Sequence, residues 1–93
     1  MGSRKASRVD ANQAEIVRAL RDVGATVQHL HTVGGGCPDL LVGFRGRTYL
    51  MEIKTTLGTL TEAEGDWFAD WTGGEASVVR SVSDALRMIG YRG

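Results

Sequence analysis

Two carboxylates and one lysine have the residue types and the spacing that metal-assisted chemistry requires. Asp39 begins a run typical of a β-strand, and Glu52 and Lys54 end the next such run. With Arg45-Gly46 as the tight turn between the strands, the predicted hairpin places Asp39 directly opposite Glu52. Residues opposed in this way have Cβ atoms about 4.5–5.5 Å apart. Lys54, two residues beyond Glu52, would project from the same face of the hairpin.

The two opposed carboxylates would repel each other, and burial would increase the cost of that repulsion. A divalent cation between them would remove the penalty, and hard oxygen ligands favour Mg²⁺ or Mn²⁺. Beside the ion, Lys54 would orient or help deprotonate a water, or stabilise charge on a phosphate. On spacing alone, a carboxylate–lysine salt bridge at the frayed end of a sheet is an equally good explanation. A slip of one residue in the register would put Asp39 and Glu52 on opposite faces.

The elements that must position these residues are predicted from hydrophobic periodicity and turn signals, in the order α-β-β-β-α-β-α. Both faces of the central hairpin are largely apolar, as in a sheet that helices cover on each side. The sequence therefore predicts an α/β domain with a small mixed β-sheet flanked by helices. The predicted ranges are a helix over 11–23, strands over 27–33, 39–44 and 48–54, a helix opening at Thr61, a strand over 76–80, and a last helix capped by Ser81 or Ser83.

Two capping boxes mark the predicted starts of the first two helices. Gln13 follows Asp10 at the spacing of a capping box, and Glu64 follows Thr61 at the same spacing. In each pair the side chains would satisfy free N–H groups of the first helical turn. Residues 1–9 are predicted to be a flexible tail that precedes a single domain over 10–93.

Composition limits the classes to which the chain can belong. Its 93 residues suffice for one domain, and the 42% of apolar and 24% of charged residues are typical of soluble globular proteins. No apolar run reaches the roughly 18–20 residues of a membrane span, and the first residues lack the apolar stretch of a secretory signal. A single cysteine, Cys37, excludes an intramolecular disulfide framework. These features predict a cytoplasmic protein without a membrane partner.

Charge is balanced overall but divided along the chain. The 11 basic residues equal the 11 acidic residues in number. Residues 1–58 carry eight basic and five acidic groups, whereas residues 59–93 carry three basic and six acidic groups. A polyanion would therefore prefer the first part of the chain.

The segment from Pro38-Asp39 to Glu52-Ile53-Lys54 resembles the motif of the PD-(D/E)xK nuclease superfamily. More specifically, the chain is similar to the stand-alone VRR-NUC domains of phages and bacteria, and the similarity covers roughly residues 10–90. It implies a restriction-endonuclease-like fold. Further points of similarity are the helix start at Asn12-Gln13, the glycine-rich turn at 34–36, and Leu60-Thr61 at the opening of the helix that carries Trp67.

The resemblance implies a metal-dependent DNA endonuclease. Asp39, Glu52 and the main-chain carbonyl of Ile53 would hold Mg²⁺ or Mn²⁺, and Lys54 would be the catalytic lysine. Glu15, on the first helix, matches the acidic residue that the family places near the metal, although a solvated helix surface is the simpler explanation from sequence alone. Phosphodiester hydrolysis would leave 5′-phosphate and 3′-hydroxyl ends.

The resemblance also implies a substrate and an assembly. Stand-alone members resemble Holliday-junction resolvases and are associated with cutting branched DNA as homodimers, in bacterial or phage-infected cells. The alternatives are a nuclease directed at flaps or nicks and a nucleic-acid-binding module that does not cleave. One position departs from the pattern, because Glu64 stands where the family often has Gln. It would modify metal binding or DNA approach, or would only cap its helix.

Other residues with chemical potential have simpler explanations. His29 and His31 would share one face of a strand, but no third zinc ligand stands at a usual spacing. The glycines at 34–36 lack the Lys-Ser/Thr ending of a phosphate-binding loop, so no nucleotide cofactor is expected. Trp67 and Trp71 have the spacing of one helix face and would stack on bases or, more commonly, pack in a core or a dimer.

Overall fold

A computed structural model describes residues 8–92, with side chains from Asp10 onward. The observed order, α-β-β-β-α-β-α, confirms the predicted mixed α/β fold. The elements are α1 (Arg8–Asp22), β1 (Thr26–His29), β2 (Leu40–Phe44), β3 (Arg47–Ile53), α2 (Glu62–Asp70), β4 (Ala76–Val79) and α3 (Val82–Met88).

The four strands form one mixed sheet in the order β1-β2-β3-β4. Strand β2 is antiparallel to both β1 and β3, and β4 runs parallel to β3. Phe44 pairs with Arg47 and Leu40 pairs with Met51, which is the predicted hairpin register. The turn residues Arg45 and Gly46 have φ angles of 51° and 81°. Positive φ at both positions matches the twist of a two-residue hairpin, so the turn itself sets the register.

The core lies on one face of the sheet, beneath α1 and α3. Because side chains alternate along a strand, every second residue of β2 and β3 points into this core. The opposite face is less covered than predicted, since Leu41 on that face is 36% exposed. The core consists of Ile16, Val17, Leu20, Ala25, Leu40, Val42, Phe44, Tyr49, Met51, Ile53, Val79, Ala85 and Ile89.

Both ends of the predicted first helix need correction. Helix α1 begins at Arg8, so Asp10 lies in its first turn and is not the N-cap. There its carboxylate favours the helix through the positive end of the macrodipole. Residues 8 and 9 are therefore helical rather than part of a tail, while residues 1–7 lie outside the described residues. The helix ends at Asp22, followed by Gly24 with a φ of 98°.

The first strand is shorter than predicted and the last helix has one defined cap. β1 ends at His29 because the chain turns, and the Val33 N–H donates to the Leu30 carbonyl at 3.0 Å. His31 therefore lies outside the strand. Of the two candidate caps of α3, Ser81 is correct, since its Oγ accepts from the Asp84 N–H at 3.0 Å.

None of the helices within residues 8–92 has both the length and the apolar character needed to cross a bilayer.

Candidate active site

Asp39 is held at the entrance to β2 by both its main chain and its side chain. Its carbonyl accepts from the Leu30 N–H at 2.8 Å, and its Oδ2 accepts from the Ile53 N–H at 2.7 Å. One step beyond the Leu40–Met51 pair, the register places Asp39 opposite Glu52. The structure therefore brings together the two carboxylates that the hairpin predicted.

The main-chain carbonyl of Ile53 lies at a position where the sheet supplies no donor from the neighbouring strand. Leu50 and Lys54 donate their N–H groups on the β4 side, so the main-chain groups of Ile53 face the β2 side. The register places Pro38 opposite Ile53. Proline has no N–H, so it cannot donate to the Ile53 carbonyl. The predicted third oxygen ligand thus points to the same end of the hairpin as Asp39.

Glu52 is a buried carboxyl group with an unsatisfied oxygen. The residue is 2% exposed, and its Oε1 is buried without a hydrogen-bond partner among the described residues. Burial raises the pKa of Glu52 to about 8, and the negative charges of Asp39 and Glu64 contribute to the rise. A buried acceptor without a partner costs about 1–3 kcal/mol, and a bound cation would remove that cost.

Lys54 lies between the carboxylates of Glu52 and Glu64. It is closer to Glu64, which the sequence did not predict as its partner. Its Nζ is 2.8 Å from Glu64 Oε1 and 3.6 Å from Glu52 Oε2. The Glu64 carboxylate raises the pKa of Lys54, although burial acts in the opposite direction. Burial would raise the pKa of Glu64, but hydrogen bonds from Lys54 and the Thr61 N–H lower it to about 2. The Lys54–Glu64 pair is therefore fully ionised at neutral pH.

The predicted capping box at the start of α2 is present and places Glu64 at the site. Thr61 donates its N–H to Glu64 Oε1 at 2.8 Å, and Glu64 donates its N–H to Thr61 Oγ1 at 3.2 Å. Glu64 Oε1 thus accepts from both Thr61 and Lys54. From the sequence, Glu64 was expected either to contact the site or only to cap its helix. In the structure it does both.

Glu15 lies on the exposed side of α1. Its side chain opens onto a surface pocket of about 620 Å³, which it shares with Asn12, Thr55, Leu57 and Arg80. Among the described residues, its carboxylate makes no hydrogen bond or ion pair with Asp39, Glu52 or Lys54. Its role near the metal stays a prediction.

Asn12 and Arg80 support the site in a way that the sequence did not indicate. The Asn12 side-chain amide donates to the carbonyls of Lys54 at 3.0 Å and Arg80 at 3.1 Å. Arg80 Nη1 donates to the carbonyls of Thr55 at 2.6 Å and Gly58 at 2.7 Å. These bonds hold the end of β3 and the loop that follows Lys54. They join residues far apart in the chain, and no local pattern around Arg80 marks it.

The groups predicted to hold a cation are two carboxylates and one main-chain carbonyl, and not a larger cluster of side chains. Within residues 8–92, no group of three or more His, Cys, Asp or Glu side chains is arranged to hold a metal ion. Mg²⁺ keeps several waters and needs only one or two protein carboxylates, so Asp39, Glu52 and the Ile53 carbonyl suit it. The orphaned Glu52 Oε1 supports the same conclusion.

Two other candidates for chemistry do not form sites. The rings of His29 and His31 are 6.2 Å apart and edge to face, and His31 lies in a turn. Burial raises the pKa of the Cys37 thiol, and the charges of Glu52 and Asp39 raise it further. A thiol with a raised pKa is a poor nucleophile at neutral pH.

Trp67 and Trp71 are stacked on each other at the surface and do not lie in the core. Their ring centroids are 4.8 Å apart with an interplanar angle of 16°. No residue of α2 is buried, and Trp71 is 42% exposed. Packing in the core of the single chain, one of the predicted uses of this pair, is therefore wrong.

Comparison with known proteins supports the resemblance found in the motifs. A solved structure described as a VRR_NUC domain superposes with a TM-score of 0.71 and 26% sequence identity, covering 92% of this chain and 100% of the other. No protein-family model matches the sequence, and no curated protein matches it. The similarity to a VRR_NUC domain, predicted from short motifs, is confirmed by the fold over nearly the whole chain.

Proposed function

We propose that this chain, which has the fold of a VRR_NUC domain, is a PD-(D/E)xK-type nuclease that hydrolyses DNA with the help of a divalent cation. The observation that carries the proposal is the pairing of Asp39 with a buried Glu52 whose Oε1 has no partner within the described residues. Lys54, directly after β3, lies beside this pair, with its Nζ 3.6 Å from Glu52 Oε2. A purely binding module would not require these three groups together.

The cation would be held by Asp39, Glu52 and the main-chain carbonyl of Ile53. Bound there, Mg²⁺ or Mn²⁺ would activate a water and neutralise charge on the scissile phosphate. The Ile53 N–H keeps the Asp39 carboxylate in place through its bond to Oδ2.

The lysine would act on the phosphate rather than on the cation. Lys54 remains charged because Glu64 raises its pKa. A positioned ammonium stabilises the negative charge that develops on phosphate oxygens during hydrolysis. Asn12 fixes the Lys54 carbonyl, which limits movement of the strand end. Glu15, exposed one turn after Asn12, is proposed as an acidic residue near the approaching DNA and metal.

The substrate is proposed to be branched DNA, preferably a Holliday junction, cut by a homodimer. One chain holds one candidate site, so cuts in two strands need two chains related by symmetry. Helix α2 has acidic residues in its first turn and no basic residue in its last turn. Because acidic side chains repel phosphates, α2 apart from Glu64 is proposed to face away from the DNA.

A panel of labelled DNA substrates tests the proposal. Holliday junction, flap, fork and linear duplex are each incubated with chelator, Mg²⁺ or Mn²⁺, and the products are mapped. Cleavage of the junction that requires the cation and leaves 5′-phosphates is expected. Preference for flaps would retain the nuclease and replace the substrate, whereas binding without cleavage under every condition would overturn the proposed function.

A further inference from the structure

We infer that Glu64 is a positioning residue that keeps Lys54 off Glu52, so that the Glu52 carboxylate stays available to a divalent cation. The inference rests on the proposed function, because it concerns the same metal site. It assigns to the α2 capping residue a control over metal affinity.

The distances show which carboxylate holds the lysine. Charge-assisted N–H···O bonds are about 2.7–2.9 Å long. Lys54 Nζ is within this range of Glu64 Oε1, at 2.8 Å, but not of Glu52 Oε2, at 3.6 Å. Glu52, on β3, stands only two residues before Lys54, so Lys54 could reach it. The lysine is directed instead to α2, a different element.

Glu64 can hold the lysine because its own position is fixed. The Thr61 N–H donates to the same Oε1 atom at 2.8 Å, as part of the α2 capping box. The lysine therefore binds a carboxylate that helix capping has already oriented. Restraint of one partner lowers the entropy cost of forming the ion pair.

Because the lysine is closer to Glu64, the Glu52 carboxylate keeps an oxygen without a hydrogen-bond partner. Its Oε1 is buried without a hydrogen-bond partner within the described residues, and its Oε2 lies 3.6 Å from Lys54 Nζ, beyond the length of a charge-assisted hydrogen bond. A lysine bonded directly to Glu52 would neutralise that carboxylate and compete with the cation for it. Loss of the Glu64 charge would let Lys54 approach Glu52 and would thereby weaken metal binding.

The first experiment compares Glu64→Gln with Glu62→Gln by calorimetric titration of Mn²⁺ into the full chain. Glutamine can complete a capping box, so Glu64→Gln retains the helix start. Glu62 is an exposed acid in the same first turn and controls for the loss of one negative charge. We expect Glu64→Gln to weaken Mn²⁺ binding about tenfold and Glu62→Gln to leave it nearly unchanged. Equal affinities in wild type and Glu64→Gln would overturn the inference.

A double-mutant cycle separates positioning from simple charge attraction. If Glu64 acts through Lys54, then in a Lys54→Met background Glu64→Gln should change Mn²⁺ affinity by less than about twofold, so that the two substitutions couple. If Glu64 attracts the cation directly, the tenfold loss persists in that background and the inference is overturned. Circular dichroism of each variant confirms that it is folded.

A crystal structure of Glu64→Gln gives a readout that does not depend on metal. The Lys54 Nζ to Glu52 distance should shorten from 3.6 Å to about 2.7–2.9 Å, the length of a charge-assisted hydrogen bond. An unchanged position of the Lys54 side chain would contradict the inference.

A wild-type chain that binds no Mn²⁺ would overturn the proposed metal site itself, and this result differs from binding that is equal in wild type and variant.

Discussion

The Ile53 N–H donates a 2.7 Å hydrogen bond to the Asp39 carboxylate, across the open end of the β2–β3 hairpin. The β2–β3 ladder ends at the Leu40–Met51 pair, and beyond it the Asp39 side chain accepts the Ile53 N–H. The bond fixes the carboxylate beside Glu52. A sheet end that would otherwise fray is thereby closed by the group proposed to bind the cation.

Removal of either proposed carboxylate ligand should abolish most metal binding. Asp39→Ala and Glu52→Ala are each expected to weaken Mn²⁺ binding by at least about 100-fold in calorimetric titration, because Mg²⁺-like sites depend on one or two carboxylates. Glu62→Ala is a control, since that side chain is exposed. Undiminished binding in both variants would place the cation elsewhere.

Removal of the lysine should affect the chemical step more than DNA binding. We expect Lys54→Ala to bind junction DNA in Ca²⁺ with near wild-type affinity and to cleave it about 10²–10³-fold more slowly in Mg²⁺, which is the usual cost of losing one positioned charge. Single-turnover cleavage and a gel-shift titration measure the two properties. Cleavage at the wild-type rate would leave Lys54 with a purely structural role.

The metal-free protein should lose stability as pH rises. The pKa of Glu52 is raised from 4.5 to about 8 in the folded chain, so the folded state binds the proton more tightly than the unfolded state. This contribution is fully present below about pH 4.5 and is lost as pH rises through about 8. We expect Tm, measured in chelator, to fall over this range in wild type and to change much less in Glu52→Gln.

The pKa of Glu64 is shifted in the opposite direction, so Glu64 affects stability in a different pH range. Its folded pKa is about 2, so its contribution is present above about pH 4.5 and is lost only as pH falls toward 2. The range between pH 5 and 8 therefore reports on Glu52. A Tm that rises across that range would contradict the assignment.

The two neighbouring glycines at 35 and 36 should differ in their tolerance of alanine. Both have positive φ angles, 67° and 81°, but only a Cβ at Gly36 would collide with the main-chain carbonyl of Ala63 in α2. Each substitution carries a backbone cost of about 1–2 kcal/mol. Gly36→Ala should cost a further ~1–3 kcal/mol for the collision. Urea denaturation measures the free energy of unfolding of both variants. Equal losses would show that α2 moves away from the added Cβ at no cost in stability.

The assembly should be a dimer with a preference for branched DNA. Sedimentation at micromolar concentration is expected to give twice the 10.0 kDa mass of the chain. Cleavage of a labelled four-way junction should greatly exceed that of linear duplex, with cuts in opposite strands. A strict monomer that nicks all duplexes alike would exclude the junction-resolving function and leave the nuclease proposal standing.

Local signals were sufficient for the hairpin and for the order of the elements. The pairing of Asp39 with Glu52 was predictable because a two-residue turn determines every pair of the strands that it joins. The Thr61–Glu64 capping box was predictable for the same reason, since its bonds form within one helical turn. The ends of β1 and α1 were less accurate, because the turn after His29 and the helix start at Arg8 have no strong local marker.

Contacts between distant segments required the tertiary structure. Nothing in the sequence shows that Lys54 lies closer to Glu64 than to Glu52, because this depends on where α2 lies against the end of β3. The carbonyl contacts of Asn12 and Arg80 likewise span long stretches of chain. A turn or a cap stabilises itself through neighbouring residues, so residue types reveal it. The partner of a long, flexible charged side chain is selected by packing of the whole fold, so residue types alone do not reveal it.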